Sequence, residues 1–137
     1  MFKHLLMPTD GSEASARAVK QGAELARSVG ARVTLMSAIE PSAFRIEDPT
    51  SRQAALDAAQ FWLDAAAGII GGIGVEAQQR IEQERSVCQS ILKAAHECGA
   101  DLIVMGTHGA GALERLLVGS QTQKVLAQTS VPVLVLR

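Results

Sequence analysis

Tyrosine is absent from this 137-residue chain, and the aromatic complement is three phenylalanines and one tryptophan. So few aromatics leave no stacking platforms for single-stranded nucleic acid. An excess of positive charge is missing too: thirteen lysines and arginines face fourteen acidic residues, for a formal net charge of -1. Phosphate backbones and anionic lipid both call for a basic excess or a basic face, so neither nucleic acid nor membrane is expected as a partner. Long apolar runs are also lacking. The longest uncharged stretch, Ala65 to Val75, has eleven residues including four glycines, where a membrane-spanning helix needs about twenty apolar residues. The first residues reach Pro8 and Asp10 too soon to hold a signal-peptide core, so a cytoplasmic address is expected. Cysteine is scarce. Cys88 and Cys98 fall in one expected helix, roughly 15 Å apart along its axis, too far for a disulfide and consistent with two small buried thiols.

What is present is hydrophobic: 47% of the residues, enough for one buried core and too much for a disordered chain. The length predicts one domain over 1–137. Strand and helix patterns alternate along it. Phe2–Met7 reads as a strand ended by Pro8, and the turn Asp10-Gly11-Ser12 can cap a helix. That helix places Ser15, Ala18, Val19, Gly22, Ala23, Ala26 and Val29 on one face, and Gly30 stands where a helix C-terminus favours a positive φ. Val33–Ile39 is a second strand. Residues 41–50 read as a mobile loop, after which Thr50 or Ser51 can cap a helix with the face Ala55, Ala59, Trp62, Ala66, Ile69 and Ile70, ended by Gly71-Gly72. Val75–Ile81 suits a sheet-edge strand. Ser86 with Gln89 forms a capping box before the face Val87, Ile91, Ala94, Ala95 and Cys98, which Gly99 closes. Leu102–Met105 is a strand buried on both faces, and a helix over Ser120–Gln128 precedes the strand Val131–Leu136. Five strands separated by helices predict an α/β fold: an open parallel sheet with helices on both faces.

In such sheets ligands bind beyond the carboxyl ends of the strands, where strand order reverses. The unusual residues do follow strands: Pro8-Thr9-Asp10 after the first, and Gly106-Thr107-His108-Gly109-Ala110-Gly111 after the fourth. Gly119-Ser120 opens the last helix. Glycines let a backbone approach phosphate oxygens and form a positive-φ nest, and a helix N-terminus adds unpaired N–H groups. Gly106, Gly109, Gly119 and the Ser120 hydroxyl could together hold a di- or triphosphate; a plain glycine loop is the alternative. Glu114 occupies the third glycine position of a dinucleotide fingerprint, and no glycine precedes Lys-Ser or Lys-Thr, so neither that motif nor a Walker loop is present.

The spacing Gly106, Gly109, Gly119, Ser120 resembles the Gly, two residues, Gly, nine residues, Gly-Ser/Thr pattern of nucleotide-binding universal stress proteins. The strand leading to Pro8-Thr9-Asp10 and the closing Val131-Pro132-Val133-Leu134-Val135 resemble that family as well, so the likeness covers nearly the whole chain. It implies a Rossmann-like sheet of order 3-2-1-4-5. It implies that Asp10, beside Pro8 and Thr9, accepts from ribose hydroxyls, and that the backbone around Ala38 meets the adenine edge. Met105, Gly106, His108 and Gly109, with Gly119, Ser120, Gln121 and Thr122, would enclose the phosphates of ATP, ADP or AMP. Magnesium or manganese would bridge phosphate oxygens. The last strand, Val131–Leu136, would pair with its counterpart in a homodimer, covering an apolar edge.

The residues leave other roles to weigh. Asp10 could instead cap the first helix, His108 and Arg115 could be solvated, and His4 and His96 sit in no metal-ligand spacing. Ser12 and Ser15 lack partners for a hydrolase triad, and Trp62 fits the core. The function expected is that of a dimeric, ATP-binding stress-response sensor or regulator. The alternatives are a nucleotide-independent interaction module and a slow ATPase in which Asp10 and the metal orient water. A phosphorylated receiver domain is excluded, because the third strand runs into Glu82-Gln83-Glu84 and no lysine follows the fifth.

Overall fold

A computed structural model describes residues 1–39, 48–107 and 119–137. In chain order the elements are β1 (His4–Pro8), α1 (Glu13–Val29), β2 (Arg32–Ala38), α2 (Pro49–Gly72), β3 (Ala77–Glu82), α3 (Val87–Cys98), β4 (Leu102–Gly106), α4 (Ser120–Gln128) and β5 (Val133–Leu136). The five strands form one parallel sheet of order β3-β2-β1-β4-β5.

Side-chain alternation along the central strands builds two cores. Leu5, Met7, Val33, Leu35, Leu102 and Val104 point to one face, where α1 contributes Val19, Ala23 and Ala26, and α2 contributes Leu63, Ala66 and Ile70. Leu6, Met36, Ile103 and Met105 point to the other, against Cys88, Ile91, Ala94 and Ala95 of α3 and Val125 of α4. A period of two in a strand makes consecutive residues serve opposite layers, so strands covered on both sides are apolar almost throughout.

The local signals act much as their chemistry requires. The Ser12 hydroxyl accepts from Ser15 N at the start of α1, and Ser86 accepts from Gln89 N at the start of α3. Gly30 and Gly99 end the same two helices at φ 71° and 72°, a region costly for any residue with a Cβ.

Several expectations need correction. β1 begins at His4 and includes Pro8, and β5 begins at Val133, because the Val131 amide is taken by the Thr129 hydroxyl. Asp48, not Thr50 or Ser51, caps α2, which therefore begins inside the segment expected to be a loop; residues 40–47 lie outside the described residues. The buried stripe of α2 is Ala59, Leu63, Ala66 and Ile70, which leaves Trp62 half-buried on its flank and Ile69 exposed. Apolar residues such as Phe61 and Ile69 also lie outside that stripe, so apolar positions alone mark no unique inner face on this helix. It runs through Gly71-Gly72, and the positive φ falls at Gly74. Val29 is exposed at the end of α1, and Cys98 is only partly buried.

Candidate functional site

Parallel strands bring all their carboxyl ends to one rim. There β1 stands between β2 and β4, so Pro8-Thr9-Asp10 lies between the end of β2, with Ala38, and the end of β4, with Met105 and Gly106. This is the point where strand order reverses, since the chain runs from β1 through β2 to β3 on one side and from β4 to β5 on the other.

Each wall is fixed by its own bonds. The Thr9 amide extends the β1–β2 ladder onto the Met36 carbonyl at 2.9 Å, and the Thr9 hydroxyl lies 3.3 Å from that of Ser15. Asp10 does not cap α1; its Oδ1 accepts from Ser12 N at 2.9 Å, closing a turn over Gly11 at φ 81°. Beside β4, the Gly119 amide donates to the Thr107 carbonyl and the Thr122 hydroxyl donates to the Gly106 carbonyl at 3.0 Å. These two bonds hold the start of α4 against the end of β4.

Two glycines of the expected nest, Gly106 and Gly119, are described, and neither has a positive φ; that of Gly119 is -58°. A methyl at Gly106 would lie 3.0 Å from the Ala14 carbonyl oxygen, so the close approach of β4 to α1 itself favours a glycine there. His108 and Gly109, together with Glu114 and Arg115, lie outside the described residues. The Ile39 amide, next to the expected adenine contact, donates to the Glu82 carbonyl at 3.0 Å.

An anion-seeking feature remains at the first turn of α4. Among the described residues no side chain caps that turn, and no acidic residue lies in it. Ser120 is exposed and Gln121 half-buried, with Gln121 Oε1 lacking a hydrogen-bond partner among the described residues. First-turn amides and the positive end of a helix dipole favour a phosphate or carboxylate. Chemically, the rim offers a carboxylate at Asp10, hydroxyls at Thr9 and Ser120, and a helix N-terminus, a set suited to a polar ligand with anionic groups.

The contribution of Thr107 was not legible in the sequence, because its role is a backbone acceptor. That of Gly11 was signalled only by Asp-Gly-Ser turn chemistry. A separate groove of about 530 Å³, lined by His4, Arg27, Arg32 and others, opens elsewhere on the molecule and shares no residue with the candidate site. The described residues contain no group of three His, Cys, Asp or Glu side chains able to hold a metal ion. No described helix is long and apolar enough to cross a membrane.

A model of the universal stress protein family matches residues 1–137. The chain is 35% identical over 137 residues to a universal stress protein of Thermus aquaticus, covering the full length of both. Among solved structures it is similar to hypothetical protein MJ0577, the subject of a structure-based assignment of biochemical function, with a TM-score of 0.88 and 27% identity over 99% of this chain and 96% of that one. The universal stress protein of Archaeoglobus fulgidus in complex with dAMP superimposes with a TM-score of 0.76 and 22% identity, over 100% of this chain and 98% of that one.

Proposed function

This chain belongs to the universal stress protein family, and on that premise we propose that it binds an adenine nucleotide, ATP in particular, as a dimeric stress-response sensor or regulator of the cytoplasm built from one domain over 1–137. The observation that carries the reading is the convergence of Pro8-Thr9-Asp10, Met105-Gly106 and the N-terminus of α4 beside the reversal of strand order. In this arrangement Asp10 accepts from ribose hydroxyls and the backbone around Ala38 meets the adenine edge. The first-turn amides of Ser120, Gln121 and Thr122 receive phosphate oxygens; the proposed phosphate contacts of His108 and Gly109 lie outside the described residues. The dAMP complex of the Archaeoglobus relative supports the ligand class.

A divalent ion fits this reading through the phosphates of the ligand. The described residues supply no three-ligand cluster of their own, and magnesium or manganese commonly takes phosphate oxygens and water beside one or two protein oxygens. Asp10 and the Thr9 and Ser120 hydroxyls are the oxygen donors at hand. Such an ion would neutralise phosphate charge.

Dimerisation through β5 has its own support. The strand stands at the sheet edge, and its residues Val133, Leu134, Val135 and Leu136 are all half-buried. An apolar edge of this kind invites a second strand. The opposite edge, β3, is polar instead, with Gln79 bonded to Gln60 and Asp64 of α2. The apolar β5 edge also favours the second reading, an interaction module whose pairing does not depend on nucleotide.

Calorimetric titration with ATP and magnesium, on protein freed of bound nucleotide, tests the first reading. Saturable heat that Asp10→Ala weakens supports it, and no heat at millimolar nucleotide refutes it. Light scattering at high micromolar concentration should give the dimer mass.

A further inference from the structure

The one tryptophan of the chain touches the turn that carries Asp10. Trp62 stands on the flank of α2, half-buried, outside the stripe that fills the core. Its indole lies against Gly11, so closely that a methyl built there would overlap Nε1 and sit 2.6 Å from Cδ1 and 2.7 Å from Cε2. Gly11 is also held at φ 81°, a conformation that only glycine adopts without cost. On either side of it, Asp10 Oδ1 accepts from Ser12 N, and Ser12 caps α1.

We propose that Trp62 is a positioning residue for the nucleotide site: its indole, seated on Gly11, fixes the Asp10-Gly11-Ser12 turn and so aims the Asp10 carboxylate at the ribose hydroxyls. This rests on the nucleotide reading above. The physical case is one of preorganisation. Glycine is the most flexible residue, and a turn through it wanders unless something occupies the space beside it. A rigid indole carries little conformational entropy of its own, so ordering the turn before the ligand arrives removes part of the cost of binding. Trp62 is fifty-one positions beyond Gly11, so this contact also links the placement of α2 to the loop after β1.

The test compares ATP with 2′,3′-dideoxyATP, each with magnesium, in calorimetric titrations of the whole protein. Asp10 can discriminate these two only through the sugar hydroxyls. The wild type should prefer ATP by about tenfold, a preference that Trp62→Ala abolishes by weakening ATP while leaving dideoxyATP nearly unchanged. Trp62→Phe should restore most of it. Gly11→Ala, which attacks the contact from the other side, should also abolish it. A merely structural role for Trp62 would weaken both nucleotides alike and leave the preference intact, and that result overturns the proposal. Should Trp62→Ala fail to fold, Trp62→Phe and the wild-type emission decide: as the sole tryptophan, with no tyrosine present, Trp62 should change its fluorescence on adding ATP. An unchanged emission together with full preference in Gly11→Ala would count against the contact. A wild type that binds neither nucleotide overturns the functional reading itself, an outcome distinct from binding without discrimination.

Discussion

Two glycine-to-alanine substitutions in helices should have opposite signs, and the structure says why. Gly22 faces inward from α1, and a methyl there would overlap Met7 Sδ and lie 3.2 Å from Val104 Cγ1. Both neighbours are buried, Met7 fully. Gly68 lies inside α2 on the exposed side, with nothing within 4 Å of the same methyl. Replacing glycine by alanine within a helix stabilises by about 1 kcal/mol through backbone entropy alone. Overpacking a filled core costs about 1–3 kcal/mol, and the overlap with the thioether places Gly22→Ala in the upper part of that range. The net expectation is a loss of about 1 kcal/mol for Gly22→Ala and a gain approaching 1 kcal/mol for Gly68→Ala. At about 4 °C per kcal/mol for a chain of this size, the two variants should melt roughly 8 °C apart. Urea unfolding followed by circular dichroism measures both midpoints, with unchanged slopes as the check that only stability has moved. A Gly22→Ala protein as stable as Gly68→Ala would refute the packing argument. It would mean that α1 does not press on β1 and β4, the two strands whose ends flank the candidate site.

Two further outcomes follow from buried charge. Burial, and then the charge of Arg32, push the pKa of His4 below 6.5, against the opposing pull of Asp101 and the Cys98 carbonyl. The unfolded chain therefore binds the extra proton first. Stability should be at its full value above pH 6.5 and fall as the pH drops through the folded value, at up to about 1.4 kcal/mol per pH unit. His4→Gln should flatten that part of the pH–stability curve, and a slope that persists in the variant would assign it elsewhere. The Asp101 carboxyl, held below its usual range by the Lys3 and His4 amides, acts only at still lower pH. The second outcome concerns Glu82, whose side chain is 7% exposed and accepts from Arg80 Nε at 2.9 Å and Nη2 at 2.6 Å, with Lys93 Nζ at 3.4 Å from its other oxygen. Arg80→Ala leaves the buried carboxylate with Lys93 as its one remaining cation among the described residues and should cost about 2 kcal/mol, whereas Glu82→Gln keeps an acceptor for a guanidinium that still pairs with Glu97 and should cost about half as much. Equal losses in denaturant titrations, or none, would show the pair behaving like the exposed Glu13–Arg17 pair at 4.0 Å.

Much of the fold was legible along the chain because the signals are local. Apolar period, the serine caps at Ser12 and Ser86, and the left-handed glycines at Gly30 and Gly99 each act within one turn of backbone, and each does in the structure what its chemistry requires. The candidate site was legible to the extent that its residues follow strand ends. Less could be read where the deciding partner is far away in sequence. Apolar residues outside the buried stripe of α2, Phe61 and Ile69 among them, blur which side meets the sheet, so Trp62 reads as core until Leu63 is seen to occupy that place. Likewise, a glycine at 106 suits a phosphate loop equally well until the Ala14 carbonyl appears 3.0 Å from its missing methyl.

By itself, then, the sequence determined the alternation of strands and helices, the capped ends of α1 and α3, and the chemistry available after each strand, since short-range sterics and hydrogen bonding govern all three. Tertiary structure alone decided which face of α2 is buried, that Gly119 approaches β4 through the Thr107 carbonyl, and that Trp62 rests on the turn holding Asp10. Those outcomes depend on packing between segments separated by tens of residues, where many partners are chemically acceptable and only the assembled geometry selects one.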